Sequence, residues 1–107
     1  MNTFDDRKNT FEGKFAHDAE LRFKAEARRN KLLGHWAAGE MGLAEDKAEE
    51  YAKSLIIADL EEAGDDDVFR KLRADFDAAN IEITDHTIRR HMDEMLAKAV
   101  EEIQAEG

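Results

Sequence analysis

Four histidines and a run of three aspartates are the first places in this 107-residue chain where chemistry could be sought. A zinc site needs several ligands converging on one point. His86 and His91 are five positions apart, about 140° round a helical wheel, and so do not share a face. His17 and His35 are remote from them in sequence, and the chain has no cysteine for a thiolate site or a disulfide framework. The four are read as solvated or capping histidines, and no metal is expected. Asp65-Asp66-Asp67 fails as a calcium loop, which needs acids at alternate positions, a glycine sixth and a glutamate twelfth. Counted from Asp65, those two positions hold Arg70 and Phe76. An aspartate N-cap with neighbours favoured by the helix dipole accounts for the run. The sequence has no glycine-rich phosphate loop and no convincing pair of nucleophile and base, so an enzyme is not expected. No catalytic residue or cofactor is assigned. Arg22, Lys24, Arg28, Arg29 and Lys31 form the one basic patch where a phosphate could sit. Solvated cations pairing with an acidic neighbouring helix explain that patch at least as well.

The charge balance narrows the partners. Net charge is −10, which argues against general nucleic-acid binding, since phosphate contacts need clustered cations. It also argues against an anionic membrane surface. No apolar run approaches the roughly 20 residues of a membrane span, and the N-terminus lacks a secretory hydrophobic stretch. A cytoplasmic protein without direct membrane insertion is expected. The charge is also uneven: residues 44–67 carry ten acidic and two basic side chains, while residues 1–17 balance to zero.

Any site must be positioned by helices. The chain has no proline, and its apolar residues, 42% of the total, recur every three or four positions with no strand-like alternation. Helices are expected over about 18–41, 44–63, 66–79 and 85–105. The first carries Leu21, Ala25, Leu32, Leu33, Trp36 and Ala37 on one face and stops at Gly42. Gly34 and Gly39 within it point to close helix packing or a bend. The second presents Ala48, Tyr51, Ala52, Leu55 and Ile56, followed by Gly64; the third presents Phe69, Leu72, Phe76 and Ala79. The fourth has the clearest stripe: Ile88, Met92, Met95, Leu96, Ala99 and Ile103. Short connections make sequential helices antiparallel neighbours, so the expected fold is all-α, a four-helix bundle over 18–107 with a flexible N-terminal arm.

Residues 1–17 do not fit the bundle. Phe4, Phe11 and Phe15 are spaced seven and four apart, which on a helix makes one narrow aromatic ridge among charges of both signs. On a wheel of about 100° per residue the ridge lies roughly a sixth of a turn from the stripe of the first helix. The arm could therefore extend that helix without pointing wholly at its core. Two readings stand: the phenylalanines cover the end of the core, or the arm is an amphipathic helix that folds on a partner. Asn9-Thr10 and Gly13 lower its intrinsic helicity and fit an arm that is disordered or partly helical when free.

Several runs resemble a known family. Thr3-Phe4-Asp5-Asp6-Arg7, Phe15-Ala16-His17-Asp18, Leu21-Arg22-Phe23-Lys24, Ala27 through Gly34, and Gly64-Asp65-Asp66-Asp67-Val68-Phe69-Arg70-Lys71 are similar to the zeta subunits of alphaproteobacterial ATP synthases. The similarity covers nearly the whole length. It implies a four-helix protein whose N-terminal region inhibits ATP hydrolysis by the catalytic head of an F-type ATP synthase. In that picture the arm wedges between an alpha and a beta subunit beside the central stalk, where gamma turns, and blocks rotation in the hydrolytic direction. The resemblance supports the segment as a whole. Side-chain chemistry then assigns Phe4, Phe11 and Phe15 as apolar anchors and Asp5, Arg7, Lys8 and Lys14 as polar contacts at the rim. The expected protein is monomeric when free and peripheral on the membrane-bound synthase when engaged. Two rivals are an acidic adaptor acting through the second helix and a nucleotide-responsive regulator using the basic first helix.

Overall fold

The computed structural model describes residues 18–61 and 64–106. Within them lie four α-helices and no strand: α1 (Ala19–Glu40), α2 (Glu45–Asp59), α3 (Asp66–Ala78) and α4 (Asp85–Glu106). The chain is an all-α four-helix bundle. Residues 1–17, with His17 and every arm residue assigned to partner binding, lie outside the described residues.

The helix ends follow from local chemistry. Asp18 has an extended backbone (φ −117°, ψ 102°), and its carboxylate accepts a hydrogen bond from the Leu21 N–H at 3.1 Å, satisfying one of the orphan donors of the first turn. α1 therefore starts at Ala19, with Asp18 outside the helix as its cap. At the other end Gly42 takes φ 71°, the Leu43 N–H bonds the Ala38 carbonyl at 2.9 Å and Gly42 bonds Gly39 at 3.2 Å. This is the Schellman arrangement, which uses orphan carbonyls of the last turn. α3 closes in the same way on Asn80, at φ 60°, with Ile81 bonding Phe76 at 2.9 Å and Asn80 bonding Asp77 at 3.1 Å. Thr84 caps α4 by accepting the Thr87 N–H at 3.1 Å.

α2 stops four residues short of the expected Ala63. Its end tightens, Leu60 and Glu61 each bonding a carbonyl three residues back at 3.1 Å. The apolar stripe also runs out there: Leu55 is buried, but Ile57 and Leu60 are 63% and 64% exposed, so no burial favours further turns.

Contacts fix the directions. Asp59 meets Arg29 and Asn30, and His35 meets Glu49, so α2 runs antiparallel to α1. Ala25 packs with Val100 and Ile103, and Trp36 stacks on His91, so α4 is antiparallel to α1 as well. The main core holds Leu33, Ala37, Leu55, Val68, Leu72, Phe76, Ile88 and Met92, with Trp36 edge-on to Phe76 at 5.5 Å. A smaller cluster of Ala25, Val100 and Ile103 lies towards the start of α1. Some positions differ from the stripes read in the sequence. Val68 is fully buried, because α3 aligns its 68, 72 and 76 row with the core; Ala79, which caps the helix, is exposed; and Leu96 is only half-buried at the flank. Gly34 permits the close approach of α1 and α2, since a Cβ there would lie 2.5 Å from the Ala52 Cα. Gly39 faces open space.

Candidate functional site

All seven sequence-assigned site residues, Phe4, Asp5, Arg7, Lys8, Phe11, Lys14 and Phe15, lie in residues 1–17, outside the described structure. What the structure does describe is the junction where that segment joins the bundle. On the bundle side the first helix begins at Ala19, directly after the Asp18 cap. The root of α1 is held firmly. Half-buried Leu21 and buried Ala25 pack towards Val100 and Ile103 of α4. Arg28 donates from Nη2 to both carboxylate oxygens of Glu106, at 2.8 and 3.0 Å, and lies 3.7 Å from Glu102. The Arg28 hydrogen bond, helped by the positive charge of Arg28 and Lys24 and partly opposed by desolvation, holds the Glu106 carboxyl below its usual value. Two-point pairing of this kind constrains orientation as well as distance.

One member of the basic patch is not solvated as the sequence suggested. Arg29 is 3% exposed and Asn30 1%. The Arg29 guanidinium lies 3.4 Å from Asp59 and 3.7 Å from Asp65 and bonds the Asn30 side-chain oxygen at 3.0 Å, while Asn30 donates to Asp59 at 3.0 Å. This network ties α1 to the end of α2 and to the turn before α3, and burial is tolerated because the charges are paired. The sequence did contain the signal: Arg29 stands four residues from both Ala25 and Leu33, inside the apolar row. Arg22, Lys24 and Lys31 are exposed.

The aspartate run is also put to other use. Asp65 is the N-cap of α3 but makes no side-chain capping bond. Its carboxylate faces Arg29 and Arg89, Asp66 pairs with Arg89 at 3.0 Å, and Asp67 pairs with Arg70. The expected N-cap with acids in the first turn is what the structure has, although without a side-chain capping bond. In addition, Asp65 and Asp66 form cross-helix ion pairs that tie the start of α3 to α1 and α4.

Several other titratable groups have structural partners. His91 stacks on Trp36 at 3.9 Å, and its Nδ1 lies 3.0 Å from the Thr87 carbonyl, to which it donates. His35 lies 3.1 Å from Glu49, and His86 is exposed. Among the described residues, no three histidine or carboxylate side chains are grouped to hold a metal ion. The Tyr51 hydroxyl donates to Asp75 at 2.7 Å. Burial first, then that hydrogen bond and the carboxylate charge, push the phenol far above its ordinary value, so Tyr51 stays protonated. Arg73, beside an open groove at the α3–α4 connection, is held by the Ile83 carbonyl, Asp77 and Asp85 at 2.6, 2.7 and 3.0 Å. These arrangements position helices; none of them aligns a nucleophile with a base.

Comparison with known proteins bears on the chain as a whole. The family model described as ATPase inhibitor subunit zeta matches residues 1–102. A solution NMR structure is similar at 39% identity with a TM-score of 0.72, the match covering 81% of this chain and 99% of that one. No curated protein matches.

Proposed function

The chain belongs to the ATPase inhibitor subunit zeta family, and on that premise we propose that residues 1–17 lodge in a catalytic alpha/beta interface of an F-type ATP synthase. Membership supports the broader role, an ATP synthase inhibitor that regulates rather than catalyses. One observation carries the finer reading: the family match starts at residue 1 and so takes in the arm together with the bundle. Phe4, Phe11 and Phe15 enter as apolar anchors, and Asp5, Arg7, Lys8 and Lys14 contact the rim. Lodged beside the gamma subunit of the central stalk, the arm blocks rotation in the hydrolytic direction. Among the described residues no helix is long and apolar enough to cross a membrane. The protein acts as a monomer bound peripherally to the cytoplasmic head of the membrane-bound enzyme.

The test is titration of the full chain and its variants into the cognate ATPase while hydrolysis is recorded. Buried aromatic anchors dominate helix-in-groove interfaces, and losing one commonly costs about 2 kcal/mol, roughly thirtyfold in affinity. Phe11→Ala is expected to weaken inhibition by about that factor, and Glu12→Ala by much less. Equal potency of Phe11→Ala and the unaltered protein would rule out the wedge and favour a contact through acidic α2.

A further inference from the structure

The start of α1 presents a surface that the bundle does not use. Phe23 is 56% exposed, and its neighbours Arg22 and Lys24 are exposed too. The reason lies in helix length. Phe23, Ala27, Asn30 and Gly34 share the side of α1 that faces α2, being spaced four, three and four apart. α2 ends at Asp59, opposite Arg29 and Asn30. The first turns of α1 therefore overhang that seam, and among the described residues no helix covers Phe23.

Resting on the proposal that the arm lodges in the catalytic head, we infer that Arg22-Phe23-Lys24 forms a second contact with that head. Phe23 enters an apolar depression, and the two cations meet carboxylates on its rim. Chain length keeps the two surfaces within reach of one another. Phe15 and Asp18 are three residues apart, at most about 11 Å when fully extended. Asp18 to Phe23 along the helix is about 7.5 Å. A standard interface buries about 800 Å² per partner, a disc of roughly 16 Å radius. An arm seated through Phe15 thus brings the root of α1 against the rim of the same interface. The arm's own aromatic ridge, occupied in the head, is then not available to cover Phe23. Leu21 and Ala25, packed against Val100 and Ile103, present the surface on a helix already ordered in the bundle, which limits the ordering cost of the contact.

Phe23→Ala in the full chain is expected to raise the concentration for half-inhibition of ATP hydrolysis about tenfold, with helical circular dichroism and melting unchanged because the residue is exposed. Ile57→Ala serves as the control. It removes an equally exposed side chain that sits five residues from Ala52, about 140° from the α1-facing side of α2, and it should leave inhibition unaltered. Arg22→Glu combined with Lys24→Glu should slow association and flatten its dependence on ionic strength. If Phe11→Ala loses inhibition while Phe23→Ala and the double reversal do not, the second contact is refuted and the arm mechanism stands. Phe23→Ala inhibiting more tightly than the unaltered chain would also overturn it, because the residue would then restrain the arm in the free protein. Normal inhibition by Phe11→Ala would remove the arm reading itself, whatever Phe23→Ala does.

Discussion

Two glycines in the same helix have opposite roles, and each role can be tested by adding one methyl group. Gly34 sits where a Cβ would meet the Ala52 backbone at 2.5 Å, whereas Gly39 has nothing within 4 Å. Alanine gains about 1 kcal/mol over glycine within a helix, but overpacking at a close contact typically costs about 1–3 kcal/mol. Gly34→Ala is therefore expected to destabilise the bundle and lower its melting temperature. Gly39→Ala should raise it by the equivalent of up to about 1 kcal/mol. Thermal melts of the two variants side by side decide the point; equal shifts would mean that the α1–α2 approach is looser than described. Arg29 teaches a related lesson. Its identity suggested solvent, while its position in the 25-29-33 row placed it inside, and position prevailed because Asp59 and Asp65 supply paired charge.

At the scale of elements, the row of α3 that faces the core runs through Val68, Leu72 and Phe76, all fully buried. Phe69 lies beside it, half-buried under Arg89, whose guanidinium carbon stands 4.0 Å from the ring centroid. Phe76→Ala is expected to cost about 3–5 kcal/mol, the range for deleting a fully buried aromatic ring. Leu96→Ala should cost clearly less, because Leu96 is half-buried at the edge of the smaller cluster. Exposed Lys98→Ala should change stability by under about 0.5 kcal/mol. Urea midpoints for the three variants should fall in that order, and a Leu96 cost matching that of Phe76 would show that the flank of α4 is misplaced. Helix ends were legible wherever a residue could adopt the left-handed turn, as Gly42 and Asn80 do. The end of α2 was not, because Gly64 stands five residues beyond Asp59. What stopped the helix was the loss of a buried face, which depends on how far α1 reaches.

For the whole molecule, the division between arm and bundle has a direct test. The cores described draw on Ala25 through Ile103, and α1 starts at its own cap. Deleting residues 1–15 is expected to leave helical circular dichroism and cooperative melting largely intact while abolishing inhibition. A molten or unfolded product would show that the phenylalanines of the arm complete the core. The polarised charge read from the sequence is partly turned inward. Acidic Asp59 and Asp65 meet buried Arg29, while Arg28 is held by the end of α4 rather than by α2.

By itself the sequence determined the fold class, the four helices and the family resemblance. Helical periodicity, the absence of proline and distinctive residue runs are properties of local order along the chain. It also raised the expectation, which the deletion above tests, that residues 1–17 stand apart from the bundle, from an aromatic ridge out of phase with the α1 stripe. Only the tertiary structure decided that Arg29 pairs with Asp59 and Asp65, that Gly34 is a contact and Gly39 is not, and that Phe23 overhangs the end of α2. Each of these depends on where a second helix begins and stops. That is set by the packing of distant segments, and no spacing within one segment records it.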